Sequence, residues 1–465
     1  MAKPRAWGDP TSAAARPPSQ YALLRERRFG PCCSTQFAGA FNDNVFKNAF
    51  VVFVTFVVAQ GVFDAGTIVN LIGAVFILPF LLFSATSGQL ADKYEKSRLI
   101  RLVKLFEIAI AVAGLAGFAL ASVPILFASL ALLGVHSTLF GPIKYAILPQ
   151  HLSERELTGG NGLVEAGTFV AILLGTIAGG LVVAIDSTGP LLAGMLTIVI
   201  AIAGWLVSLR IPLTPAVAPA LAINWNPLSE TWRNVAIARE DRFVWRSMLA
   251  ISWFWFYGAI YLAQLPAFTQ HVLHGDAHVF TLLLALFSIG IGIGSLLCER
   301  LSAREVEPGL VLFGALGLSL FAADLWLATR TPFGPTAIGP RDFVATLRCW
   351  RIAADIVLLG AFGGFYTVPL YALIQARSPA SHRARIIASN NILNALFIVA
   401  SAGVAIGLLA AGLSIPELFL AVGALNALFA IYLATTVPEF AQRSRAWLRR
   451  RFAPARPHPL HGEDG

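Results

Sequence analysis

Long apolar segments recur along almost the whole chain and constrain its fold more than any other feature. Twelve mostly apolar stretches, each bounded by charged residues, glycine or proline, are found at 34–60, 66–90, 98–121, 124–149, 161–185, 190–209, 246–272, 278–300, 307–328, 351–375, 386–411 and 415–437. A helix needs about 20 apolar residues to cross the hydrocarbon core of a bilayer. A segment in lipid must also satisfy its own backbone hydrogen bonds. The sequence therefore predicts an all-α integral membrane protein with twelve transmembrane helices.

The composition supports this fold class and argues against a soluble enzyme. Only 13% of the 465 residues are charged and 57% are hydrophobic, whereas soluble domains carry roughly 25% charged residues. Twelve crossings leave no room for a large catalytic domain, so no enzymatic activity is expected. The four cysteines show neither a disulfide pattern nor the spacing of metal ligands. We therefore expect no metal site and no organic cofactor.

The positions of the basic residues predict the orientation of the chain. Lysine and arginine are concentrated in the two terminal segments and in every second connection, whereas the alternate connections hold only Arg330, Arg341 and Arg348. This asymmetry is typical of cytoplasmic loops, so both termini are expected in the cytoplasm and the net charge of +9 does not indicate nucleic-acid binding. The predicted segments are a cytoplasmic tail (1–30), a first six-helix half (31–210), a cytoplasmic interdomain loop (211–245), a second six-helix half (246–438) and a basic cytoplasmic tail (439–465).

The two halves resemble each other in sequence. Residues 134–153 align without gaps on residues 360–379, which places Tyr145 opposite Tyr371, and both segments form the fourth crossing of their half. A duplicated six-helix unit is typical of secondary transporters whose site lies between the halves. In the loop between the halves, Asn226-Pro227 predicts the capped start of a partly amphipathic surface helix.

A polar stripe in the first crossing is the strongest functional signal. Asp43, Asn44, Lys47 and Asn48 follow i, i+1, i+4, i+5 spacing and so share one face of an apolar helix. A charged residue at the bilayer centre costs about 2.5–3.5 kcal/mol on insertion scales, so such residues usually face a cavity or a partner. The alternative is an internal Asp43–Lys47 pair that only lowers its own burial cost.

The fourth and fifth crossings add further polar residues at similar depth. Lys144 and Tyr145 share a face of the fourth crossing, and Asn161 and Glu165 share a face of the fifth. Lys144 and Glu165 are expected to pair, either as a structural salt bridge or as a pair that breaks during transport. His136 in the fourth crossing is interpreted as a hydrogen-bonding residue between helices.

A loop motif after the second crossing indicates a conformational latch. The segment GQLADKYEKSR (88–98) resembles the loop signature of the major facilitator superfamily. Gly88 would allow two helices to approach closely, and Asp92 with the cations Lys93 and Arg98 would form ion pairs that hold one conformation. The alternative is an ordinary cytoplasmic loop. At the equivalent place in the second half Cys298 replaces the aspartate, so no latch is expected there.

The second half offers aromatic and amide side chains instead of charges. Its first crossing reads WFWFYGAIYLAQLPAF from Trp253, which suits the wall of an acyl-chain site or, alternatively, an aromatic belt at the membrane interface. In the eleventh crossing three asparagines are expected to bond across helices or to line the cavity: Asn390, Asn391 and Asn394.

Four segments together carry a family resemblance. QFAGAFNDNVFKNAF, FGPIKYAILP, GGNGLVEAGT and ASNNILN are similar to segments of the bacterial lysophospholipid transporter family of the major facilitator superfamily, over residues 30–437. The chain looks most similar to the transporter portion that some members carry fused to acyltransferase and acyl-carrier-protein synthetase domains. The resemblance implies alternating-access movement of lysophosphatidylethanolamine and lysophosphatidylglycerol from the outer to the inner leaflet of the bacterial cytoplasmic membrane. A separate acylating protein would then be the partner.

The resemblance and the charges together suggest roles for single residues. Lys47 or Lys144 would bind the lipid phosphate, Asp43 with Asn44 would bind the amine or a coupling cation (Na⁺ or H⁺), and Glu165 would be the switching partner of Lys144. The expected protein is a monomer among membrane lipids. Two alternatives remain: an exporter of another amphiphile or drug with the same fold, and a membrane scaffold that recruits acylating enzymes.

Overall fold

Twelve long helices make up most of the protein. The computed structural model describes residues 19–55, 65–334 and 338–452, and no β-strand occurs in those ranges beyond an isolated bridge between Gly275 and Ile338. The long helices are α1 Gly30–Phe53, α2 Ala65–Lys93, α3 Lys96–Ala119, α4 Val123–Ala146, α5 Glu154–Val183, α6 Gly189–Ser208, α7 Arg242–Ala267, α8 Ala277–Leu301, α9 Gly309–Thr329, α10 Leu347–Arg377, α11 Arg383–Ala410 and α12 Ile415–Thr436.

The hydropathy of these helices agrees with the predicted membrane fold. Among the described residues, 11 helices are long and apolar enough to cross a membrane. Helix α1 is not one of them, because Asp43, Lys47 and three asparagines occupy its middle. The predicted all-α architecture is confirmed, and α1 is the crossing in which polar residues replace part of the apolar surface. The predicted tails fall largely on residues 1–18 and 453–465, which lie outside the described ranges.

The helices pack as two equivalent six-helix halves, α1–α6 and α7–α12. Helix α1 packs on α5 as α7 packs on α11, α2 packs on α4 as α8 packs on α10, and α3 packs on α6 as α9 packs on α12. Between the halves, α2 contacts α11 and α5 contacts α8. The weak sequence repeat therefore corresponds to a repeated helix arrangement, as predicted.

One end of the bundle, which we call the basic end, carries the connections 94–95, 147–153, 209–241, 302–308 and 378–382. Four shorter α-helices of the described residues pack there: Gln20–Leu23, Leu148–His151, Pro227–Glu240 and Pro438–Phe452. We refer to Pro227–Glu240 as the interdomain helix. The interdomain helix begins as predicted, because the Asn226 side chain accepts hydrogen bonds from the backbone N–H groups of Leu228 and Ser229 at 3.1 Å.

The tight turn between α2 and α3 depends on Glu95. Its carboxylate accepts hydrogen bonds from the backbone N–H groups of Ser97, Arg98 and Thr214. Burial opposes ionisation of this carboxyl, but the hydrogen bonds from Thr214, Ser97 and Arg98 outweigh burial and lower the pKa of Glu95 below its usual value. The ionised carboxylate thus fixes the start of α3 and ties the interdomain loop to the basic end.

Candidate substrate cavity

A cavity of about 410 Å³ lies between the two halves. Seven helices contribute to its wall: α1, α2, α4, α5, α7, α10 and α11. The residues that line it are Gln36, Gly39, Ala40, Asp43, Asn44, Lys47, Gly73, Phe76, Ile77, Phe80, His136, Ser137, Phe140, Gly141, Lys144, Tyr145, Thr168, Ile172, Trp255, Tyr371, Asn391, Asn394, Ala395 and Ile398. The ionisable side chains come from the first half, and the second half supplies aromatic, amide and apolar groups.

Asp43 is the one carboxylate among these lining residues. Its Oδ2 accepts a hydrogen bond from Ser137 Oγ at 2.6 Å, whereas its Oδ1 is buried without a hydrogen-bond partner. Only 8% of Asp43 is exposed. A buried carboxylate oxygen without a partner is costly unless a ligand or a cation completes it. Asp43 therefore offers an acceptor to a cationic group inside the cavity.

Two lysines face the same cavity and stand against aromatic rings. Lys47 Nζ lies 4.3 Å from the centre of the Phe76 ring, and Lys144 Nζ lies 4.7 Å from the centre of the Tyr145 ring. In the part of the chain that the structure describes, neither lysine forms an ion pair with a carboxylate. Asp43 and Lys47 therefore form no direct ion pair in this conformation, although their charges still interact electrostatically. Both ammonium groups are available to an anion.

The expected pair of Lys144 and Glu165 is replaced by a different contact. Glu165 is buried and accepts a hydrogen bond from the hydroxyl of Tyr145, the neighbour of Lys144. The Tyr145 ring stacks on Tyr371 of the second half at 4.3 Å between ring centres. Lys144 therefore forms no direct ion pair with Glu165 in the described structure, although the two buried charges interact electrostatically. Adjacent residues of a helix point about 100° apart, and the direct contact with Glu165 comes from Tyr145.

The remaining candidates divide into cavity and packing residues. Asn44, Asn391 and Asn394 line the cavity as expected of cavity residues, and His136, which the sequence indicated as a contact between helices, lines it as well. Asn48 instead donates a hydrogen bond to the Thr176 carbonyl of α5 at 2.6 Å. Two further candidates are buried outside the lining set: Asn161 and Asn390. The polar stripe of α1 thus has a cavity part and a packing part.

A buried ionic cluster lies behind the cavity wall of the first half. Lys104 Nζ lies 2.6 Å from Glu107 Oε2, and Asn42 Nδ2 donates to Glu107 Oε1 at 2.8 Å. His136, which also lines the cavity, places its Nε2 3.4 Å from Glu107 Oε2. Lys104, Glu107 and His136 are each at most 2% exposed. The cluster ties α1, α3 and α4 together by charge and proximity. Neither ring nitrogen of His136 has a hydrogen-bond partner among the described residues, so the interpretation of His136 as a hydrogen-bonding residue between helices is not confirmed.

The loop motif at the basic end contacts the opposite half. Asp92 Oδ2 accepts a hydrogen bond from Arg385 Nε at 3.2 Å, and Asp92 Oδ1 accepts one from the Ala384 backbone N–H. A Cβ at Gly88 would lie 2.7 Å from Ala388 Cβ. Lys93 and Arg98, predicted as members of the latch, form no ion pair in the described structure: Lys93 stands over the Tyr94 ring, and Arg98 is exposed. The partner of Asp92 comes from α11 because the ends of α2 and α11 meet there.

The other inter-half contacts lie at the same end. Asn161 and Gln375 exchange two hydrogen bonds of 2.7 and 2.9 Å between α5 and α10. Glu299 at the end of α8 accepts hydrogen bonds from the Gln20 backbone N–H. Within the described ranges, every hydrogen bond between the halves lies between the cavity and the basic end. The conformation is therefore closed at the basic end.

The aromatic wall is smaller than the sequence indicates. Trp255 lines the cavity, and its Nε1 lies 3.5 Å from Tyr371 Oη. Trp253 instead packs inside the second half, where it stacks on Phe256 and Phe429 and donates to Asn426. Sequence reasoning missed the aromatic residues of α2, because Phe76 and Phe80 belong to an apolar helix in which no local pattern separates lipid-facing from cavity-facing positions.

Fold and sequence comparisons place the chain in one class of membrane transporters. A sequence profile of the Major Facilitator Superfamily matches residues 36–339. The solved Escherichia coli fucose:proton symporter aligns with a TM-score of 0.66 at 13% identity, over 90% of this chain and 98% of its own. A proton:xylose symporter aligns with a TM-score of 0.67 at 11% identity, over 92% and 100%. The chain therefore belongs to the major facilitator superfamily.

Relatives of known name show which members of the superfamily this chain resembles. A Serratia proteamaculans protein named lysophospholipid transporter is 26% identical over 377 residues, which are 78% of this chain and 83% of the relative. An Escherichia coli O1:K1 protein of the same name is 28% identical over 360 residues, which are 74% and 79% of the two chains. The resemblance to the lysophospholipid transporter family, inferred from four short segments, is confirmed by these relatives.

Proposed function

We propose that this protein transports lysophospholipids, and that it carries lysophosphatidylethanolamine and lysophosphatidylglycerol from the outer to the inner leaflet of the bacterial cytoplasmic membrane. The observation that carries the proposal is the division of one cavity into a charged wall and an aromatic, apolar wall. The relatives named lysophospholipid transporters support this substrate class. A separate acyltransferase or acyl-carrier-protein synthetase would then reacylate the delivered lipid.

The chemistry of the wall matches a lysolipid with a zwitterionic or anionic headgroup. Lys47 and Lys144 offer ammonium groups to the phosphate, and the free Oδ1 of Asp43 accepts from the ethanolamine amine or holds a coupling cation, Na⁺ or H⁺. Phe76, Phe80 and Trp255 offer an apolar surface to the acyl chain. The cavity wall thus offers a binding group to the phosphate, to the amine and to the acyl chain of a single-chain lipid.

Two features of the molecule support the proposed direction of transport. Positive loops favour the cytoplasm, so the basic end is assigned to the cytoplasmic face and both termini lie there. The inter-half contacts close that end, so the cavity is cut off from the cytoplasm in this conformation. Opening of these contacts, with closure at the other end, would deliver the lipid to the inner leaflet. The protein is proposed to act as a monomer, because one chain contains both halves of the cavity.

Uptake of labelled lysophosphatidylethanolamine into spheroplasts tests the proposal. Lys144→Gln is expected to lower the uptake rate about tenfold or more, since a charge-assisted hydrogen bond to the phosphate contributes about 1.5–3 kcal/mol. Lys144→Arg should keep part of the rate because it keeps the cation. The control is Arg445→Gln, which removes an exposed charge of the helix Pro438–Phe452. Wild-type uptake by the Lys144→Gln variant at equal expression would remove Lys144 from the mechanism.

Further measurements distinguish the transport proposal from the two alternatives. An exporter of another amphiphile would confer tolerance to dyes or antibiotics while lysolipid uptake in proteoliposomes stays at background. A scaffold for acylating enzymes would keep its effect on lysolipid reacylation in cells when Asp43 and Lys144 are both neutralised. Either result would replace the proposal.

A further inference from the structure

A second pocket, which we call the arginine pocket, lies at the basic end of the second half. It has a volume of about 410 Å³ and is lined by Arg239, Arg242, Trp245, Arg246 and Thr436. These residues come from the end of the interdomain helix, the start of α7 and the end of α12. None of them lines the substrate cavity. The arginine pocket is therefore a separate site.

Two of the three guanidinium groups of the arginine pocket stand against aromatic rings, and none of the three is paired with a carboxylate in the described ranges. Arg239 lies 4.8 Å from the centre of the Trp245 ring, and Arg246 lies 4.8 Å from the centre of the Tyr432 ring. Throughout the described ranges, no ion pair involves Arg239, Arg242 or Arg246.

Two acidic residues lie next to the arginines along the chain, and neither forms an ion pair with them in the described ranges. Glu240 is exposed and forms no ion pair among the described residues. The Asp241 carboxylate accepts hydrogen bonds from the backbone N–H groups of Phe243 and Val244, which begin α7. A single pocket thus brings together three guanidinium groups that form no ion pair in the described structure, an arrangement that suits a phosphate.

The surroundings of the arginine pocket place it at the level of lipid headgroups. On the interdomain helix and just before it, Trp225, Leu228 and Trp232 are 72%, 82% and 71% exposed. Exposed tryptophan next to basic residues is typical of a helix that lies in the membrane interface. On α12, Leu428 and Ile431 are about 60% exposed and lie on the apolar stretch that leads to Thr436. An acyl chain would run along this surface while its phosphate reaches the arginines.

We propose that the arginine pocket binds the headgroup phosphate of an anionic diacyl phospholipid from the leaflet that faces the basic end. A zwitterionic lipid is disfavoured, because its amine would enter a site that already holds three cations. A basic pocket between helices at this face is a recognised form of lipid recognition. This ligand is a resident of the membrane and not the transported lysolipid, so the inference does not depend on the transport proposal.

Native mass spectrometry of the full chain in detergent tests this site with three probes: phosphatidylglycerol, phosphatidylethanolamine and glycerol 3-phosphate. Wild-type protein should bind phosphatidylglycerol at least tenfold more tightly than the other two. Arg239→Gln, Arg242→Gln and Arg246→Gln combined should lower that affinity at least tenfold, because each near-surface arginine contributes about a fivefold change. The matched control combines Arg25→Gln, Arg300→Gln and Arg445→Gln, which removes three exposed charges elsewhere at the basic end and should keep the affinity.

A second variant keeps every charge and tests the site by volume. Thr436→Trp should fill the pocket and abolish selective phosphatidylglycerol binding, even if the triple variant folds poorly. Equal losses in the triple variant and its control would show a general charge effect and overturn the proposal. Binding of glycerol 3-phosphate as tight as that of phosphatidylglycerol would show a soluble-anion site instead of a lipid site. Unchanged phosphatidylglycerol binding in Thr436→Trp, or equal affinity for phosphatidylethanolamine, would also overturn it.

Discussion

At the scale of single residues, the cavity holds charged side chains that lack an ion-pair or hydrogen-bond partner for at least one of their polar atoms in the described structure. Lys47 and Lys144 are supported by aromatic rings, and Asp43 uses one of its two oxygens. By contrast, Lys104 and Glu107 behind the wall form a complete buried pair. Leaving a buried ionised group incomplete destabilises a protein by several kcal/mol. This difference separates the groups that await a ligand from those that stabilise the helix arrangement.

Asp43→Asn tests whether Asp43 carries the coupling cation. Asparagine keeps an oxygen for the Ser137 hydroxyl but removes the carboxylate that is alone of its kind among the described lining residues. In proteoliposomes with sodium and proton gradients imposed separately, the variant should lose stimulation by whichever gradient drives the wild type, while exchange of lysolipid without a gradient continues. Stimulation of the same size in Asp43→Asn would exclude Asp43 as the cation site.

Asn44 and Asn48 share the same stripe on α1, and the structure predicts opposite effects for them. Asn44 lines the cavity, so Asn44→Ala should raise the KM of lysolipid uptake several-fold and leave the thermal unfolding temperature unchanged. Asn48 donates to the Thr176 carbonyl, so Asn48→Ala should lower the free energy of unfolding by about 0.5–1.5 kcal/mol and leave the KM unchanged. A changed KM in Asn48→Ala together with lower stability in Asn44→Ala would contradict the placement of the two side chains relative to the cavity.

At the scale of helices, the contact between α2 and α11 depends on a residue without a side chain. A Cβ at Gly88 would lie 2.7 Å from Ala388 Cβ and 2.8 Å from Arg385 Cα, so no side chain fits there. The close approach brings Asp92 to the first turn of α11, where it accepts the backbone N–H of Ala384 and pairs with Arg385. The carboxylate thereby acts as an N-terminal anchor of a helix in the other half.

Gly88→Ala is therefore expected to separate α2 from α11 at the basic end. Uptake should fall strongly, since the variant cannot complete closure of this end. The control is Gly403→Ala in α11, where a Cβ meets nothing within 4 Å. Both substitutions raise the helix propensity by about 0.5–1 kcal/mol. Only Gly88→Ala also introduces a steric overlap, so only this variant should lose the stability that the propensity adds. Similar uptake by the two variants would contradict the assigned role of Gly88.

Local sequence patterns predict the helices and the polar half of the site, but not the partners across the halves. Apolar length and charge position specify the long helices, and helical spacing specifies the stripe that contains Asp43. The partner of Asp92 is Arg385, 293 positions away, and the partner of Asn161 is Gln375, 214 positions away. Such pairs depend on how one half packs against the other, and the spacing of residues within one helix carries no information about that packing.

At the scale of the whole molecule, transport requires the halves to exchange one set of contacts for another. In the described ranges, the hydrogen bonds that hold the halves are few and lie at one end: Asp92 with α11, Asn161 with Gln375, Thr158 with the Glu305 carbonyl, and Gln20 with Glu299 and the Leu296 carbonyl. A small number of polar contacts gives an energy difference of a few kcal/mol between conformations, which a ligand can reverse.

Asn161→Ala should shift this balance toward opening at the basic end. The substitution leaves the Gln375 amide without its partner, which costs about 1–3 kcal/mol while that end is closed. Water satisfies the same amide once the end opens, so the open population should rise about 5- to 150-fold relative to the closed one.

The distance between two spin labels at exposed positions of the basic end measures this change. The labels are attached to the variants Arg155→Cys in α5 and Arg300→Cys in α8. The four native cysteines are replaced by alanine in this background. The longer distance should gain population in Asn161→Ala. The further change Gln375→Leu removes the stranded amide and should restore most of the closed population. A distribution identical to that of the parent would show that the Asn161–Gln375 pair does not contribute to closure of this end.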